Sequence, residues 1–152
     1  MPEIELSAAS AFEGMDVPGD LFQDFTPVEA WRPRMEAGTL WVAEDAGRVT
    51  AFLAASAYGE RLHIDEIDVA RDQQGKGIGR QMLSDLTVWA RANRFSCLSL
   101  TTFRNIPWNG PFYASLGFQE WPAEEAPGEV RRALASEAAR GLKDRCAMRL
   151  DL

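Results

Sequence analysis

A glycine-rich stretch between a predicted strand and a predicted helix has the residue types of an anion-binding turn. Three glycines alternate within five residues, and each lets the backbone turn with no Cβ in the way. The amides of such a turn point toward an anion, and the N-terminus of the following helix favours negative charge. A phosphate or pyrophosphate site is therefore predicted here, although a plain tight turn is the alternative. The stretch reads Gln74, Gly75, Lys76, Gly77, Ile78, Gly79 and Arg80, with Lys76 and Arg80 adding positive charge at the rim.

The turn lacks residues that two common phosphate-binding motifs require. A dinucleotide fingerprint needs a third glycine where this chain has Arg80. A nucleotide P-loop needs a glycine where Ala70 stands, and a Ser or Thr directly after Lys76. Because neither pattern fits, the turn indicates another phosphate-bearing ligand.

The strand before the turn carries several ionisable side chains in close succession. By strand alternation, His63 and Asp65 are expected on one face and Glu66 and Asp68 on the other, although a β-bulge would re-aim them. Charged groups in a central strand are costly unless they face a cavity, so a polar pocket is predicted; solvated surface residues are the alternative. Aromatic residues expected at the border of this pocket are Trp108 and either Phe22 or Phe25.

Three of these side chains are candidates for a general base. His63 is the only histidine of the chain, and its unperturbed pKa suits a base near neutrality. A neighbouring Asp65 is expected to raise the pKa of His63 further. Asp65 and Glu66 would need raised pKa values to take the same role, and Glu66 would act through an ordered water.

A second stretch, residues 105–118, places a tyrosine on a short helix after a buried strand. Tyr113 opens a Tyr-x-x-x-Gly-Phe run that ends at Phe118. A phenol within hydrogen-bond reach of a leaving group acts as a general acid, whereas a purely structural core aromatic is the alternative. Two asparagines precede the tyrosine, Asn105 and Asn109, and the prolines between and after them constrain the entry to the helix.

The elements that must position these residues follow from periodicity and turn residues. Three strands with short turns predict an antiparallel meander, and the strand–helix–strand order that follows predicts a parallel pair. The predicted strands are 40–44, 49–57, 62–69, 95–103, 118–121 and 146–152. The predicted helices are 27–37 with Thr26 as N-cap, 77–92, 111–116 and 130–140 with Gly141 as cap. Together they indicate an α+β domain around one mixed sheet.

Bulk composition fits a single domain over residues 1–152 and argues against several classes of protein. The net charge of −7 and a pI of about 4.8 disfavour a nucleic-acid partner. No apolar run approaches the roughly 18 to 20 residues of a membrane span, and the acidic first residues do not resemble a signal peptide. The spacing of Cys97 and Cys146 matches no metal or disulfide pattern. We therefore expect a cytoplasmic protein with no metal and no membrane partner.

The glycine turn and the tyrosine stretch together resemble the GNAT superfamily of N-acetyltransferases. Residues 74–79 match the family's loop for the pyrophosphate of coenzyme A. Ile67 and Val69 match the strand whose backbone hydrogen-bonds the pantetheine arm. Tyr113 matches the tyrosine that protonates the leaving thiolate, and Asn105 or Asn109 matches the family's asparagine. The resemblance covers about residues 39–121 and implies a mixed, mostly antiparallel sheet of about six to seven strands flanked by helices.

This resemblance implies an enzyme that moves an acetyl group from acetyl-coenzyme A to a primary amine by direct attack. His63, Asp65 or Glu66 would take the ammonium proton, and Tyr113 would be the general acid. The acceptor, a small-molecule or peptide amine, stays open because fold and cofactor do not fix it. A non-catalytic coenzyme A-binding sensor of the same fold is the alternative, and a nucleotide-binding oxidoreductase domain is opposed by the missing glycine. The last helix offers a surface for a homodimer.

Overall fold

The computed structural model describes residues 1–18 and 25–152. Within this part of the chain five α-helices and six β-strands are formed. The helices are α1 (Pro2–Ala9), α2 (Arg32–Glu36), α3 (Ile78–Ala92), α4 (Gly110–Ala114) and α5 (Gly128–Ala139). The strands are β1 (Leu40–Asp45), β2 (Arg48–Tyr58), β3 (Arg61–Val69), β4 (Cys97–Phe103), β5 (Gln119–Trp121) and β6 (Arg145–Asp151). Short 3₁₀ turns lie at Ser10–Phe12, Val28–Trp31 and Arg71–Gln73.

The six strands form one sheet in the order β1-β2-β3-β4-β6-β5. β3 and β4 are parallel and are joined by the crossover helix α3, while the other neighbouring pairs are antiparallel. The predicted α+β fold with a mixed, mostly antiparallel sheet flanked by helices is therefore confirmed. The predicted meander and parallel pair are both present.

The two parallel strands pair over a short length only. Their register runs from Arg61–Cys97 to His63–Ser99, and the described remainder of both strands is not paired across this boundary. β3 stays paired with β2 as far as Val69, and β4 stays paired with β6 over its whole length. Each strand is therefore held from its outer side, and an opening is left in the middle of the sheet.

β3 contains a β-bulge at Asp65. The β2–β3 register passes from Ala54–Glu66 directly to Ala55–Ile64, so Asp65 has no partner on β2. An extra residue of this kind interrupts the alternation of side chains between the two faces of a strand.

The bulge brings the ionisable side chains of β3 onto one face. Glu66 and Asp68 pair with β2 residues that pack against α1, and opposed residues of an antiparallel pair share a face. His63 pairs with Ser56 on this same β2 face, and Asp65 accepts a hydrogen bond from the Ser56 hydroxyl. The prediction that His63 and Asp65 lie opposite Glu66 and Asp68 is wrong, because strict alternation fails at a bulge.

Apolar packing covers both faces of the sheet. The main core lies between α3 and the sheet, and each leucine buried there contributes about 1.5–3 kcal/mol to the stability of the fold. On the opposite face, the Trp31 ring meets the Phe52 ring edge-on with centroids 5.7 Å apart, beside α1. Main-core residues include Leu53, Leu62, Leu83, Leu86, Leu98 and Phe118.

The N-terminal helix α1 is absent from the sequence prediction. Its amphipathic pattern is weak, and its apolar contact with the sheet depends on Ile4, which is buried beside Trp31. The helix predicted over 27–37 is present as a 3₁₀ turn followed by α2, with Pro27 rather than Thr26 at the N-cap. The α1 segment, which has little helical periodicity, therefore becomes helical through its contacts with the sheet.

The last helix follows the prediction closely. α5 is followed by Gly141 with φ of 82°, as expected for a glycine that ends a helix.

Among residues 1–18 and 25–152, no helix combines the length and the apolar character needed to span a bilayer.

Gly110, the first residue of α4, is packed directly against backbone. A Cβ atom here would lie 2.2 Å from the carbonyl oxygen of Arg104. We predict that Gly110→Ala lowers the free energy of unfolding by about 1–3 kcal/mol, as overpacking does, measured by urea denaturation. Gly128→Ala in α5 is the control, because its Cβ would meet only the flexible end of Arg132, at 3.4 Å. Equal stability of the two variants would contradict the argument.

Candidate active site

The glycine turn adopts a conformation that depends on glycine. Gly75 and Gly77 have φ values of 76° and 85°, in the left-handed region that other residues rarely adopt. Gly77 is also the N-cap of α3, so the turn leads into the positive end of a helix of 15 residues. The Gln74 side chain donates a hydrogen bond to the carbonyl oxygen of Val69 at 3.0 Å and ties the turn to the end of β3.

A cavity of about 400 Å³ lies beside this turn and is termed the coenzyme cavity, after the ligand that the family resemblance implies. It runs from the turn along the end of β3 to α4. Predicted residues on its wall are Ile67, Val69, Gln74, Gly75, Gly77, Ile78, Gly79, Arg80 and Asn109. Lys76 and Asn105 lie outside its lining, and the Lys76 ammonium donates instead to Gln73 at 2.9 Å. Trp108 also lines this cavity, whereas the sequence predicted it at the border of the polar pocket beside the strand of His63.

Arg80 lines the same cavity from the first turn of α3 and is held in place by contacts with α4 and the residue after it. Its guanidinium donates to the Ser115 hydroxyl at 3.0 Å and lies 5.7 Å from the centroid of the Phe112 ring. A cation fixed in this way beside the helix N-terminus suits a phosphate group.

Asn109 provides an unsatisfied polar atom on the wall of the coenzyme cavity. Its side-chain oxygen Oδ1 is buried and has no hydrogen-bond partner among the described residues. Such an atom costs stability unless a ligand or water satisfies it. Of the two asparagines left open by the sequence, the structure places Asn109 at the cavity.

A second cavity of about 310 Å³ adjoins the first and is termed the acceptor cavity here. Both are lined by Phe12, Ile67, Asp68, Asn109 and Tyr113, so the two meet at the end of β3. The acceptor cavity fills the opening between β3 and β4 and extends to α1, α5 and β6. Phe25 borders it as expected, whereas Phe22 lies outside the described residues.

Tyr113 stands at the junction of the two cavities. Its ring packs against the rings of Phe112 and Phe118, with centroids 5.3 and 5.7 Å away, and the side chain is 8% exposed. Burial raises the pKa of Tyr113, and the carboxyl groups of Glu66 and Asp68 raise it further. The hydroxyl therefore keeps its proton at neutral pH.

Glu66 and Asp68 of the acceptor cavity form no ion pair or hydrogen bond with any described residue. Burial raises the pKa of Glu66 to about 7, with a further upward contribution from Glu5 and an opposing one from Arg145. The pKa of Asp68 is raised well above its ordinary value by burial and by the negative charge of Glu66. Glu66 is therefore able to exchange a proton near neutrality.

The other two ionisable residues of β3 are held by the protein itself. Asp65 accepts hydrogen bonds from the Ser56 hydroxyl at 2.7 Å and from the Arg34 Nε at 3.0 Å. His63 lines neither cavity, and its Nδ1 lies 2.9 Å from the Ser99 hydroxyl. Burial lowers the pKa of His63 and outweighs the upward effect of Asp65, so the expected increase is wrong.

Several residues of the acceptor cavity were not found by sequence reasoning, because they lie outside the stretch with recognisable motifs. Glu5 comes from α1, and Glu137 of α5 forms a two-pronged ion pair with Arg145 of β6, both contacts at 2.9 Å. Arg140 and Leu142 complete this side. No short motif links these positions in the sequence.

A glycine turn at a helix N-terminus, next to two adjoining cavities, suits a phosphate-bearing ligand bound beside a second ligand. The family model described as the acetyltransferase (GNAT) domain matches residues 36–120, more than half of the chain. The chain therefore belongs to the GNAT acetyltransferase family, as its motifs predicted.

Individual relatives support this assignment over different lengths. N-alpha-acetyltransferase 80 of Mus musculus is 40% identical over 58 residues, which is 38% of this chain and 17% of the mouse protein. This chain thus spans less than a fifth of the length of that relative.

Solved structures share the fold. The ribosomal-protein-alanine N-acetyltransferase of Brucella melitensis superposes with a TM-score of 0.68 at 18% identity, over 97% of this chain and 91% of that one. N-acetylglutamate synthase of Neisseria gonorrhoeae, solved with coenzyme A and N-acetyl-glutamate, gives a TM-score of 0.70 at 18% identity, over 84% of this chain and 28% of that one.

Replacing Gly77 with Asp tests the glycine turn. The variant places a side chain and a negative charge in the turn that lines the coenzyme cavity, so we predict that coenzyme A binding weakens at least about tenfold in calorimetry. Gly47→Asp, in the β1–β2 turn, is a matched control, because Gly47 has a φ of 79° and equally open surroundings. Both variants should lose similar stability, and unchanged affinity in Gly77→Asp would remove the turn from the site.

Proposed function

We propose that this chain is an acetyl-coenzyme A-dependent N-acetyltransferase, with residues 1–152 forming one catalytic domain and a primary amine as acceptor. The observation that carries the proposal is the meeting of the coenzyme and acceptor cavities at Tyr113 and the end of β3. A bound thioester and a bound amine would be brought together at this junction. Family membership supports acetyl transfer in general.

The residues of the coenzyme cavity fit coenzyme A. The open glycine turn, the N-terminus of α3 and Arg80 suit the pyrophosphate, and the edge of β3 at Ile67–Val69 suits the amide-bearing pantetheine arm. The buried Oδ1 of Asn109 would accept an N–H from the same arm. When bound, acetyl-coenzyme A supplies an acetyl group activated as a thioester.

The acceptor cavity suits an amine that arrives as an ammonium ion. Asp65 is balanced by Arg34 and Glu137 by Arg145, which leaves Glu5, Glu66 and Asp68 without ion pairs among the described residues. Three carboxyl groups without ion pairs attract a cation and disfavour an anion in the same place. The size of the cavity, about 310 Å³, suits a small molecule or the end of a peptide.

The proposed reaction uses one proton acceptor in the acceptor cavity and one proton donor at the junction of the two cavities. Glu66 takes a proton from the ammonium group, directly or through water, and the free amine forms a C–N bond with the acetyl carbon. Backbone N–H groups near Val69 stabilise the charge that develops on the carbonyl oxygen. As the C–S bond breaks, Tyr113 donates its proton to the sulfur and regains one from the attacking nitrogen, directly or through water, which leaves a neutral amide and a free thiol. Of the candidate bases, Glu66 is favoured over His63 because it lines the acceptor cavity.

The direct test is release of free thiol from acetyl-coenzyme A with a panel of primary amines. The panel spans monoamines, diamines, amino acids and short peptides with free N-termini. Release that requires both substrates supports the proposal. Coenzyme binding without release for any amine would favour the alternative, a non-catalytic coenzyme A-binding module.

The general acid is tested with Tyr113→Phe. We predict that kcat falls about 10²–10⁴-fold while coenzyme A affinity and thermal stability change little, because only one hydroxyl is lost. Tyr58→Phe is the matched control, since Tyr58 is the other tyrosine and is 44% exposed. If Tyr113→Phe turns over at a rate close to that of the wild type, water rather than Tyr113 protonates the leaving thiolate.

The base is tested with the pH dependence of kcat/KM. Because the pKa of Glu66 is raised to about 7, activity should rise with pH through this value. We predict that Glu66→Gln removes this acidic limb and lowers kcat/KM by about 10²–10⁴-fold, whereas Glu44→Gln on the surface leaves both unchanged. If His63→Gln removes the limb instead, the histidine is the base. If neither variant moves it, the limb belongs to the amine.

The same pKa shift affects stability. A carboxyl group with a raised pKa favours the folded state at low pH, and this contribution is lost as pH rises through about 7. Glu66→Gln should therefore stabilise the protein more at pH 8 than at pH 5, which thermal unfolding at the two values measures.

A further inference from the structure

Glu5 is a buried carboxylate whose environment is unusual. It lies on α1, is 8% exposed and has no ion pair with a described residue. Its Oε2 accepts the backbone N–H of Thr26 at 2.7 Å, and its Oε1 accepts the indole N–H of Trp31 at 3.3 Å. Burial of a charge served only by neutral donors is costly, so a retained carboxylate here calls for an explanation beyond packing.

The two hydrogen bonds of Glu5 fix one wall of the acceptor cavity. Phe25 and Thr26, termed the acceptor wall here, both line that cavity, and Thr26 is held through its own amide. Trp31 anchors the following turn by packing on Phe52. None of Glu5, Phe25 and Thr26 lines the coenzyme cavity, so this contact acts on the acceptor side alone.

The charge of Glu5 also acts on the carboxyl groups across the cavity. It raises the pKa of Glu66, second only to burial, and it contributes to the raised pKa of Asp68. The titratable and charged groups around this part of the cavity come from five elements. They are Glu5 of α1, Asp65 and Asp68 of β3, Tyr113 of α4, Glu137 of α5, Arg145 of β6 and, just after α5, Arg140.

We propose that Glu5 is a positioning residue of the acceptor site, which holds the acceptor wall in place and supplies negative charge to the cavity that Glu66 and Asp68 line. The first part rests on two hydrogen bonds that join residues far apart in the sequence. The second part rests on three carboxyl groups that share one cavity. The role of Glu66 as base rests in turn on the proposed function.

The charge effect is tested without turnover by following the Glu66 carboxyl carbon through a ¹³C NMR pH titration, with the signal assigned from Glu66→Gln. Removing a nearby negative charge makes ionisation of Glu66 easier. In Glu5→Gln its midpoint should therefore move to lower pH by roughly 0.5 to 1 unit. Glu3→Gln, on the exposed side of the same helix, is the matched control and should leave the midpoint in place.

The wall effect is tested with Glu5→Ala in steady-state kinetics. KM for the amine should rise at least about fivefold while KM for acetyl-coenzyme A stays constant, because only the acceptor cavity contains the wall. Glu5→Asp should retain the pH midpoint of the wild type and recover part of the acceptor affinity. If Glu5→Ala does not fold, Glu5→Asp and Glu5→Gln carry the same comparison.

Two results overturn the proposal. One is an unchanged Glu66 midpoint in folded Glu5→Gln, and the other is an equal rise of both KM values in Glu5→Ala. Lower thermal stability with neither shift would make Glu5 a structural residue only. Failure of the proposed function is separate, since it appears as absence of thiol release in the wild type while the titration still reports on Glu5.

Discussion

The short pairing between β3 and β4 is the constraint on which the site depends. The two strands pair only from Arg61–Cys97 to His63–Ser99, and both cavities lie where this pairing has ended. A fully paired sheet would bury the edge of β3 and leave no backbone groups for a ligand. The opening persists because each strand remains paired on its outer side, so the missing ladder costs the fold little rigidity. The glycine turn follows β3 and α4 follows β4, so both lie beyond the carboxyl ends of the two parallel strands.

The bulge at Asp65 gives this opening its charge. Without the extra residue, Glu66 and Asp68 would face away from His63, and the acidic groups would be divided between the α3 core and the cavity. With it, the carboxyl groups of β3 gather on one face, where burial and nearby negative charge raise the pKa values of Glu66 and Asp68. This arrangement opposes stability at neutral pH, and the apolar packing under α3 offsets it. The protein thus keeps a destabilising group of carboxyl groups in this cavity. A bound ammonium ion would reduce the repulsion between them.

The sequence predicts some of these features well because they are local. The glycine turn, the helix after it and the meander before it are each encoded by neighbouring residues, and all are present. The bulge is not encoded in this way, since alternation of residue types is the same with or without an extra residue at Asp65. α1 was missed because its helical state depends on contacts with the sheet. The choice between Asn105 and Asn109 required the path of the chain through its two prolines, which sequence alone does not fix.

The residues that line the coenzyme cavity lie close together in the sequence, whereas those of the acceptor cavity lie far apart. Family membership therefore says more about the coenzyme than about the acceptor. Most of the coenzyme cavity comes from residues 67–80 and 108–113, within the stretch that matches the family model. The acceptor cavity adds Glu5, Ala9, Phe25 and Thr26 and four residues between 137 and 145, all of which lie outside that stretch. Substitutions at these positions would reshape the acceptor cavity without changing any residue of the glycine turn. Glu5 is an example: its partners Thr26 and Trp31 are distant from every motif, yet its carboxylate lies at the wall of the acceptor cavity.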